Sequence, residues 1–262
     1  MYDFNFKKKF GQNFLRGDSV VTRIVNSTDI PSNTLVIEVG PGAGVLTKKL
    51  AAVARNVLCY EIDLELEDTL IYNLKDYNNV DVIFDDFLKR DILSDIEKYE
   101  YDQIYFVSNV PYYITTPILM HLMNSEVSVN KIVMMVQKEV GDRFSALPGK
   151  KDYSSISVFL NYYFNIKKLF YVSRNEFIPK PNVDSVVVSF TRKNNPLYLN
   201  NKDKFFDLVR NSFRFKRKTL KNNLKGYPLE KISEVLKKYN YDLSVRAEEL
   251  DVSVFVDISN NL

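Results

Sequence analysis

The chain is poor in the two side chains that most often carry metal and redox chemistry. Its 262 residues include one cysteine, Cys59, and one histidine, His121. A single cysteine allows no disulfide within the chain, and one of each excludes a Cys/His zinc site, so no metal is expected. A reducing, cytoplasmic setting fits. Cys59 lies in the apolar run "NVLCY" and reads as core. His121, in "ILMHLM", reads as a packing or surface residue. No apolar run approaches the ~18 residues of a membrane span, and no membrane partner is expected. The opening "MYDFNFKKKF" has basic residues but no apolar core behind them, so it is not a secretory signal. Repeats and low-complexity segments are missing too. With 45% hydrophobic and 26% charged residues, what remains is a globular chain long enough for one large domain, or one medium and one small.

Apolar runs and their punctuation give the organisation. "TLVIEV", "NVLCYEI", "VDVIF", "QIYFVSN" and "KIVMMVQ" read as strands. Between them lie helical patterns: Val45 to about Ala54, "LELEDTLIYNL", and "TPILMHLM" with Thr116 as cap and Pro117 in the first turn. A further helix opens the chain, with Asp18 as its cap. Strands alternating with helices predict an α/β fold, a parallel sheet covered on both faces. The later strands "KKLFYV" and "DSVVVSF" have no crossover helix between them, so at least one runs antiparallel. From Asn200 onward the pattern is helical, interrupted at Gly226-Tyr227-Pro228. The polar, proline-containing "RKNNPLYLNN" marks a boundary between domains 1–195 and 196–262.

The sharpest local signal is "VIEVGPGAGVLTKKL": a strand, then Gly40-Pro41-Gly42-Ala43-Gly44, then a helix. Glycines let the backbone approach a ligand, and a helix N-terminus offers free N–H groups. The third glycine falls one residue early for a dinucleotide fingerprint, and Glu38 precedes the first by two. This form suits a ligand without a pyrophosphate. Glu61 ends the second strand, 21 residues after Gly40, where a carboxylate accepts ribose hydroxyls. Asp86 follows the third strand, where a carboxylate accepts the amine of an adenine. Three successive strand ends thus offer backbone, ribose and base contacts. An ordinary glycine turn with two surface acids would not need that register. An adenosine without phosphates on such a sheet points to S-adenosylmethionine, with S-adenosylhomocysteine as product.

The fourth strand runs into "SNVPYYITTPI". The N6 nitrogen of adenine is a poor nucleophile because its lone pair is delocalised into the ring. An amide oxygen and a backbone carbonyl accepting its two hydrogens favour a pyramidal nitrogen aimed at a sulfonium methyl. Asn109 and the Val110 carbonyl supply those acceptors, Pro111 stiffens the turn, and Tyr112 stacks on the base. No strong base is needed, so a chain with one histidine can still be an enzyme. A strand-ending turn capped by Asn is the bland alternative.

Charge is unevenly spread. Nine basic and two acidic residues between Lys202 and Lys225 give that segment +7, leaving −4 for the rest of a chain whose net charge is +3. Phe213 and Phe215 are interleaved with Arg214, Lys216, Arg217 and Lys218. On one helix, Leu208, Val209, Phe213, Leu220 and Leu224 would face the core while Arg210, Arg214, Arg217, Lys218 and Lys221 fan outward. Such a surface suits a polyanion, and a solvated helix face is the alternative.

At these residues the sequence resembles the KsgA-type small-subunit rRNA adenine dimethyltransferases. "KKKFGQNFL", "EVGPGAGVLT", "SNVPYYITTPIL", "VQKEVGDRFSALPGKKDYSSISV", "FIPKPNVDSVVVSF", "FRFKRKTLKNNL" and "RAEELDVSVFVDISNNL" carry the likeness nearly end to end. It implies a Rossmann-like class I methyltransferase fold, a seven-stranded mostly parallel sheet with a small C-terminal helical domain. It places cofactor contacts on Asn13, Leu15, Gly40, Glu61, Asp86 and Asn109, and a second base-stacking ring on Phe177. It implies a substrate of two adjacent adenosines near the 3′ end of small-subunit (16S) rRNA, within an immature 30S-type particle. The expected protein is a monomer that meets this RNA through Arg214, Arg217, Lys218 and Lys221. Tyr113, Thr115 and Lys180 depart from the family's frequent Asn, Ser and Pro without removing a proposed contact.

Macrolide-resistance methyltransferases, which share the catalytic domain and modify one adenine of large-subunit rRNA, are the runner-up. "RKTLKNNL" and "RAEELDVSVF" favour the small-subunit group. A dehydrogenase would want glycine where Val45 stands and would leave the Asn109 turn unexplained. A non-catalytic ribosome-assembly factor would not need a filled cofactor pocket.

Overall fold

The computed structural model describes residues 14–15, 17–194 and 196–262. Nine strands occur among them, in chain order β1 (Phe14–Leu15), β2 (Thr34–Val39), β3 (Asn56–Glu61), β4 (Val80–Phe84), β5 (Gln103–Ser108), β6 (Lys131–Gln137), β7 (Phe164–Val172), β8 (Phe177–Ile178) and β9 (Ser185–Arg192). Seven form one sheet in the order β4-β3-β2-β5-β6-β9-β7. The first five are parallel, and β9 pairs antiparallel with β6, so one of the two late strands does run antiparallel. Every residue of β2 is buried, which explains an apolar run with no alternation. Cys59 is buried on β3, as read from its neighbours.

The chain moves outward from β2 to β3 and β4, then returns to the other side of β2 with β5 and β6. The order therefore reverses between β2 and β5, and the carboxyl ends of these two strands frame the crevice where open α/β sheets hold ligands. Val39 and Ser108 stand there. Ladder pairing of the two strands runs as far as Ile37 with Phe106. Beyond it the Ser108 hydroxyl takes over, accepting the Val39 N–H at 3.3 Å and donating to the Val39 carbonyl.

Two compact units are distinguished, Met1–Lys138 with Lys167–Thr191, and Glu139–Ile166 with Arg192–Leu262. The second unit is helical. Its helices Ser155–Tyr163, Lys202–Ser212, Leu229–Lys238 and Val252–Asn260 bury an aromatic core in which Phe159 stacks on Phe206 at 4.3 Å. The segment 139–166 belongs to this unit, whereas the sequence reading groups it with the sheet. "SISVFLNYY" is apolar on most of its surface, and it is the rings of Phe205 and Phe206 that cover it. Among the described residues no helix is long and apolar enough to cross a membrane.

Two local expectations are corrected. The first helix has Gly17 at its cap, with Asp18 already inside. The helix after β5 begins at Thr115, following a 3-10 turn over Tyr112–Ile114, so Thr116 lies inside it and Pro117 remains in its first turn.

Candidate active site

The loop after β2 turns on three alternate glycines. Gly40, Gly42 and Gly44 have φ of 70°, 60° and 79°, a region that L side chains enter at a cost. At Gly40 an added Cβ would meet nothing within 4 Å, so the dihedral demands glycine while the space before it stays open. At Gly44 a Cβ would press on Leu74 Cδ2 at 3.2 Å, which keeps this position small. The helix Val45–Ala51 starts immediately beyond.

Glu61, at the end of β3, is tied to that loop. Its Oε2 accepts the Gly42 N–H at 3.2 Å and its Oε1 accepts the Asp63 N–H at 3.0 Å. A carboxylate has about four lone-pair directions, so these N–H groups do not exhaust its accepting capacity. Burial pushes the Glu61 carboxyl above the usual carboxylate range, against the backbone N–H groups that favour its charge. Beneath the loop Glu38 is fully enclosed, and burial raises its carboxyl to about 8. The Cys59 thiol lies 3.7 Å from its Oε2.

Asp86 follows β4 and caps the short turn Phe87–Lys89, its Oδ1 accepting the Leu88 N–H at 3.1 Å. Its Oδ2 lies 3.7 Å from the exposed Lys89 ammonium. Asn109 leaves β5 half-buried, and among the described residues its side-chain amide has no hydrogen-bonding partner. Val110 is buried, and the Pro111 carbonyl accepts the Ile114 N–H at 3.2 Å, closing the turn. Tyr112 is half-buried, and its Oη shares a 2.7 Å hydrogen bond with Ser185 Oγ on β9. Desolvation raises the Tyr112 phenol.

The structure thus gathers Gly40, Glu61, Asp86, Asn109, Val110, Pro111 and Tyr112 at the carboxyl edge of one sheet. Leu15 and Phe177 are register partners in the antiparallel β1–β8 pair. Phe177 is only 1% exposed and belongs to the main apolar cluster with Val21, Ile24, Phe170 and Val172. Its surroundings are those of a core residue. Asn13 lies outside the described residues. Ser108 and Ser185 escape the sequence reading, because a serine at a strand end carries no signal until its partner across the sheet is known. His121 is structural, its Nε2 paired with the Arg90 carbonyl at 3.1 Å and its ring edge-on to Phe87.

The donor set fits an adenosine bearing a neutral or cationic tail. It offers carboxylates for hydroxyls and an amine, the Asn109 amide, and an open glycine turn rather than a phosphate cradle. Comparison with known sequences agrees. The profile of the family described as ribosomal RNA adenine dimethylase matches residues 3–262. The chain belongs to this family. It is 43% identical to a ribosomal RNA small subunit methyltransferase A of Streptococcus thermophilus, over all of this chain and 93% of the relative. It is 42% identical to one from Macrococcus caseolyticus, over all of this chain and 91% of the relative. Among solved structures it resembles a dimethyladenosine transferase from Plasmodium falciparum, with TM-score 0.79, 26% identity, and 94% and 95% of the two chains covered. It also resembles the 23S rRNA methyltransferase ErmE, with TM-score 0.72, 25% identity, and 95% and 99% covered. The fold of this adenine dimethylase family member is the Rossmann-like class I methyltransferase fold, with a seven-stranded, mostly parallel sheet.

Proposed function

We propose that this chain dimethylates the N6 amines of two adjacent adenosines near the 3′ end of small-subunit rRNA, using S-adenosylmethionine. It acts in the cytoplasm, as a monomer, on an immature small-subunit particle. The observation that carries this reading is the Asn109 amide, without a hydrogen-bonding partner among the described residues, at the mouth of the β2–β5 crevice, beside a glycine turn braced by Glu61. Full-length kinship with small-subunit enzymes supports the choice of RNA.

In this reading Glu61 holds the ribose hydroxyls and Asp86 the adenine amine of the methyl donor. Gly40 lets the backbone approach, and Asn13 and Leu15 complete the donor's contacts. The bound donor supplies an electrophilic methyl on a sulfonium. Asn109 Oδ1 and the Val110 carbonyl accept the two hydrogens of the target amine and free its lone pair. The Tyr112 ring, fixed through Ser185, supports the base. A nitrogen–carbon bond forms as the sulfur–carbon bond breaks, and the amine proton, now acidic, leaves to solvent. In function, residues 1–195 serve as the catalytic domain, including 139–166 although that segment belongs to the helical unit, and 196–262 serve as the RNA- and ribosome-binding domain.

The test offers purified protein and methyl-labelled S-adenosylmethionine to under-methylated small and large ribosomal subunits, then maps the label. Two adjacent dimethyladenosines in small-subunit rRNA are expected. Label in large-subunit rRNA would transfer the chain to the group of ErmE. Label in neither would leave a binding protein.

A further inference from the structure

The basic segment is not the continuous helix its sequence suggests. The helix Lys202–Ser212 ends, a loop crosses 213–219, and a short helix Leu220–Asn223 follows. Asn223 builds the loop. Its Nδ2 donates to the carbonyls of Ser212 at 2.7 Å, Phe215 at 3.3 Å and Lys218 at 3.4 Å, and its Oδ1 accepts the Phe215 N–H at 3.1 Å. One side chain therefore fixes the backbone of Phe215 on both its N–H and its carbonyl. The Phe215 ring is nevertheless 54% exposed. Exposing a large ring on an ordered loop forgoes hydrophobic burial that a lysine or glutamine at the same position would not need. Around it Arg214, Lys216, Arg217 and Lys218 are all exposed, and among the described residues no carboxylate pairs with any of them. The Arg214 guanidinium carbon lies 5.4 Å from the ring centroid, and Lys216 Nζ donates to the Lys151 carbonyl at 2.9 Å.

An aromatic face presented on an ordered loop, ringed by cations that no carboxylate among the described residues neutralises, is complementary to a nucleotide with its base exposed. The ring meets the base, and the cations meet the flanking phosphates. We infer that Phe215 is a stacking platform for an unpaired base of the RNA, a contact separate from the methylated adenosines. The inference rests on the reading of this segment as an RNA contact. A protein partner would favour a wider apolar surface, and the four cations would then face unneutralised charge.

The chain contains no tryptophan, so Phe215→Trp places a single, selectively excitable tryptophan on the loop. The probes are a small-subunit rRNA fragment with unpaired loops and a fully paired RNA duplex of equal length. Quenching of the Phe215→Trp emission by the looped fragment, and much less by the duplex, is expected. Phe215→Ala and Phe215→Leu should both weaken binding of the looped fragment by roughly 5- to 150-fold, the affinity equivalent of one base–aromatic stack. Neither should change the slope of log affinity against log salt, because no cation is removed. Wild-type affinity in Phe215→Leu, equal quenching by the duplex, or no quenching at all would overturn the stack. A combined Arg217→Ala, Lys218→Ala variant separates the two levels. If it binds RNA with an unchanged salt slope, the RNA reading of the segment fails. If its slope falls while Phe215→Leu binds normally, the stacking inference alone fails.

Discussion

At the scale of single residues, the site divides side chains that are free to act from side chains already engaged. Asn109 is of the first kind. Its proposed acceptor bond strengthens as the amine becomes pyramidal, so its removal should fall on turnover rather than on RNA affinity. Asn109→Ala should reduce methyl transfer at least ~100-fold at saturating methyl donor, by analogy with loss of one transition-state hydrogen bond. Near-normal turnover there would refute the assignment. Phe177 is of the second kind. Its ring is interior, so Phe177→Ala should cost about 3–5 kcal/mol of stability, read as a lower thermal midpoint. Phe177→Leu refills most of the volume and should restore the midpoint. If the ring also stacks on the flipped base, turnover of Phe177→Leu stays low. If turnover recovers with the midpoint, Phe177 is core and nothing more.

At the scale of elements, strand ends decide the chemistry. The end of β3 delivers Glu61, which both braces the glycine loop and faces the crevice. Glu61→Ala should weaken S-adenosylmethionine binding by ~1.5–3 kcal/mol, the range for a charged hydrogen bond. Glu61→Gln keeps one accepting oxygen and should lose less; calorimetry on both separates ligand contact from loop support. Because burial raises this carboxyl, donor affinity should decline on acidification at a pH above that of an ordinary carboxylate. Affinity flat across that range would remove the ionised Glu61 from the donor's contacts. The other decisive element is the loop 213–219 with the short helix Leu220–Asn223 that follows it. Replacing Arg214, Arg217, Lys218 and Lys221 with Ala should weaken particle binding and lower the salt slope by roughly 0.7–0.9 for each phosphate no longer neutralised. Donor affinity should not move. Parallel salt titrations for wild type and variant would reduce these charges to a solvated surface.

The sheet and its glycine turn were legible in sequence because they rest on local signals. These are buried apolar strands, glycines where φ is positive, and acids at strand ends. The loop 213–219 was not legible. Its residues have helical spacing, and Leu208, Val209, Leu220 and Leu224 are buried as that spacing predicts. What ends the helix is Asn223 taking carbonyls from residues up to eleven positions earlier, helped by four neighbouring cations that repel one another on a helix face. The burial of Phe177 was not legible for a related reason. Its partner Leu15 lies 162 residues away, and nothing near either one announces the pairing. The hydroxyls of Ser108 and Ser185 likewise take their meaning from strands distant in the chain.

At the scale of the whole molecule, the least expected feature is the acid enclosed under the glycine loop. Glu38 is surrounded by the core of the sheet, and burial raises its carboxyl to about 8 from 4.5. In the unfolded chain it ionises near 4.5, so between these two values the folded protein holds a proton that the unfolded chain has released. Folding then takes up a proton, and stability falls as pH rises through that window. Below it both states are protonated and Glu38 makes no difference. Above it both are ionised and the folded state bears the full cost of a charge in an apolar interior. The slope attributable to one proton is at most about 1.4 kcal/mol per pH unit, or ~2–4 °C in thermal midpoint per pH unit for a chain of this size. Glu38→Gln keeps the shape of the neutral acid and cannot ionise. Its midpoint should match wild type near the acid end of the window and exceed it increasingly toward the alkaline end. Curves that stay parallel across the window would mean that Glu38 ionises without penalty, with charge compensation supplied by groups other than its buried neighbours Cys59 and Glu61.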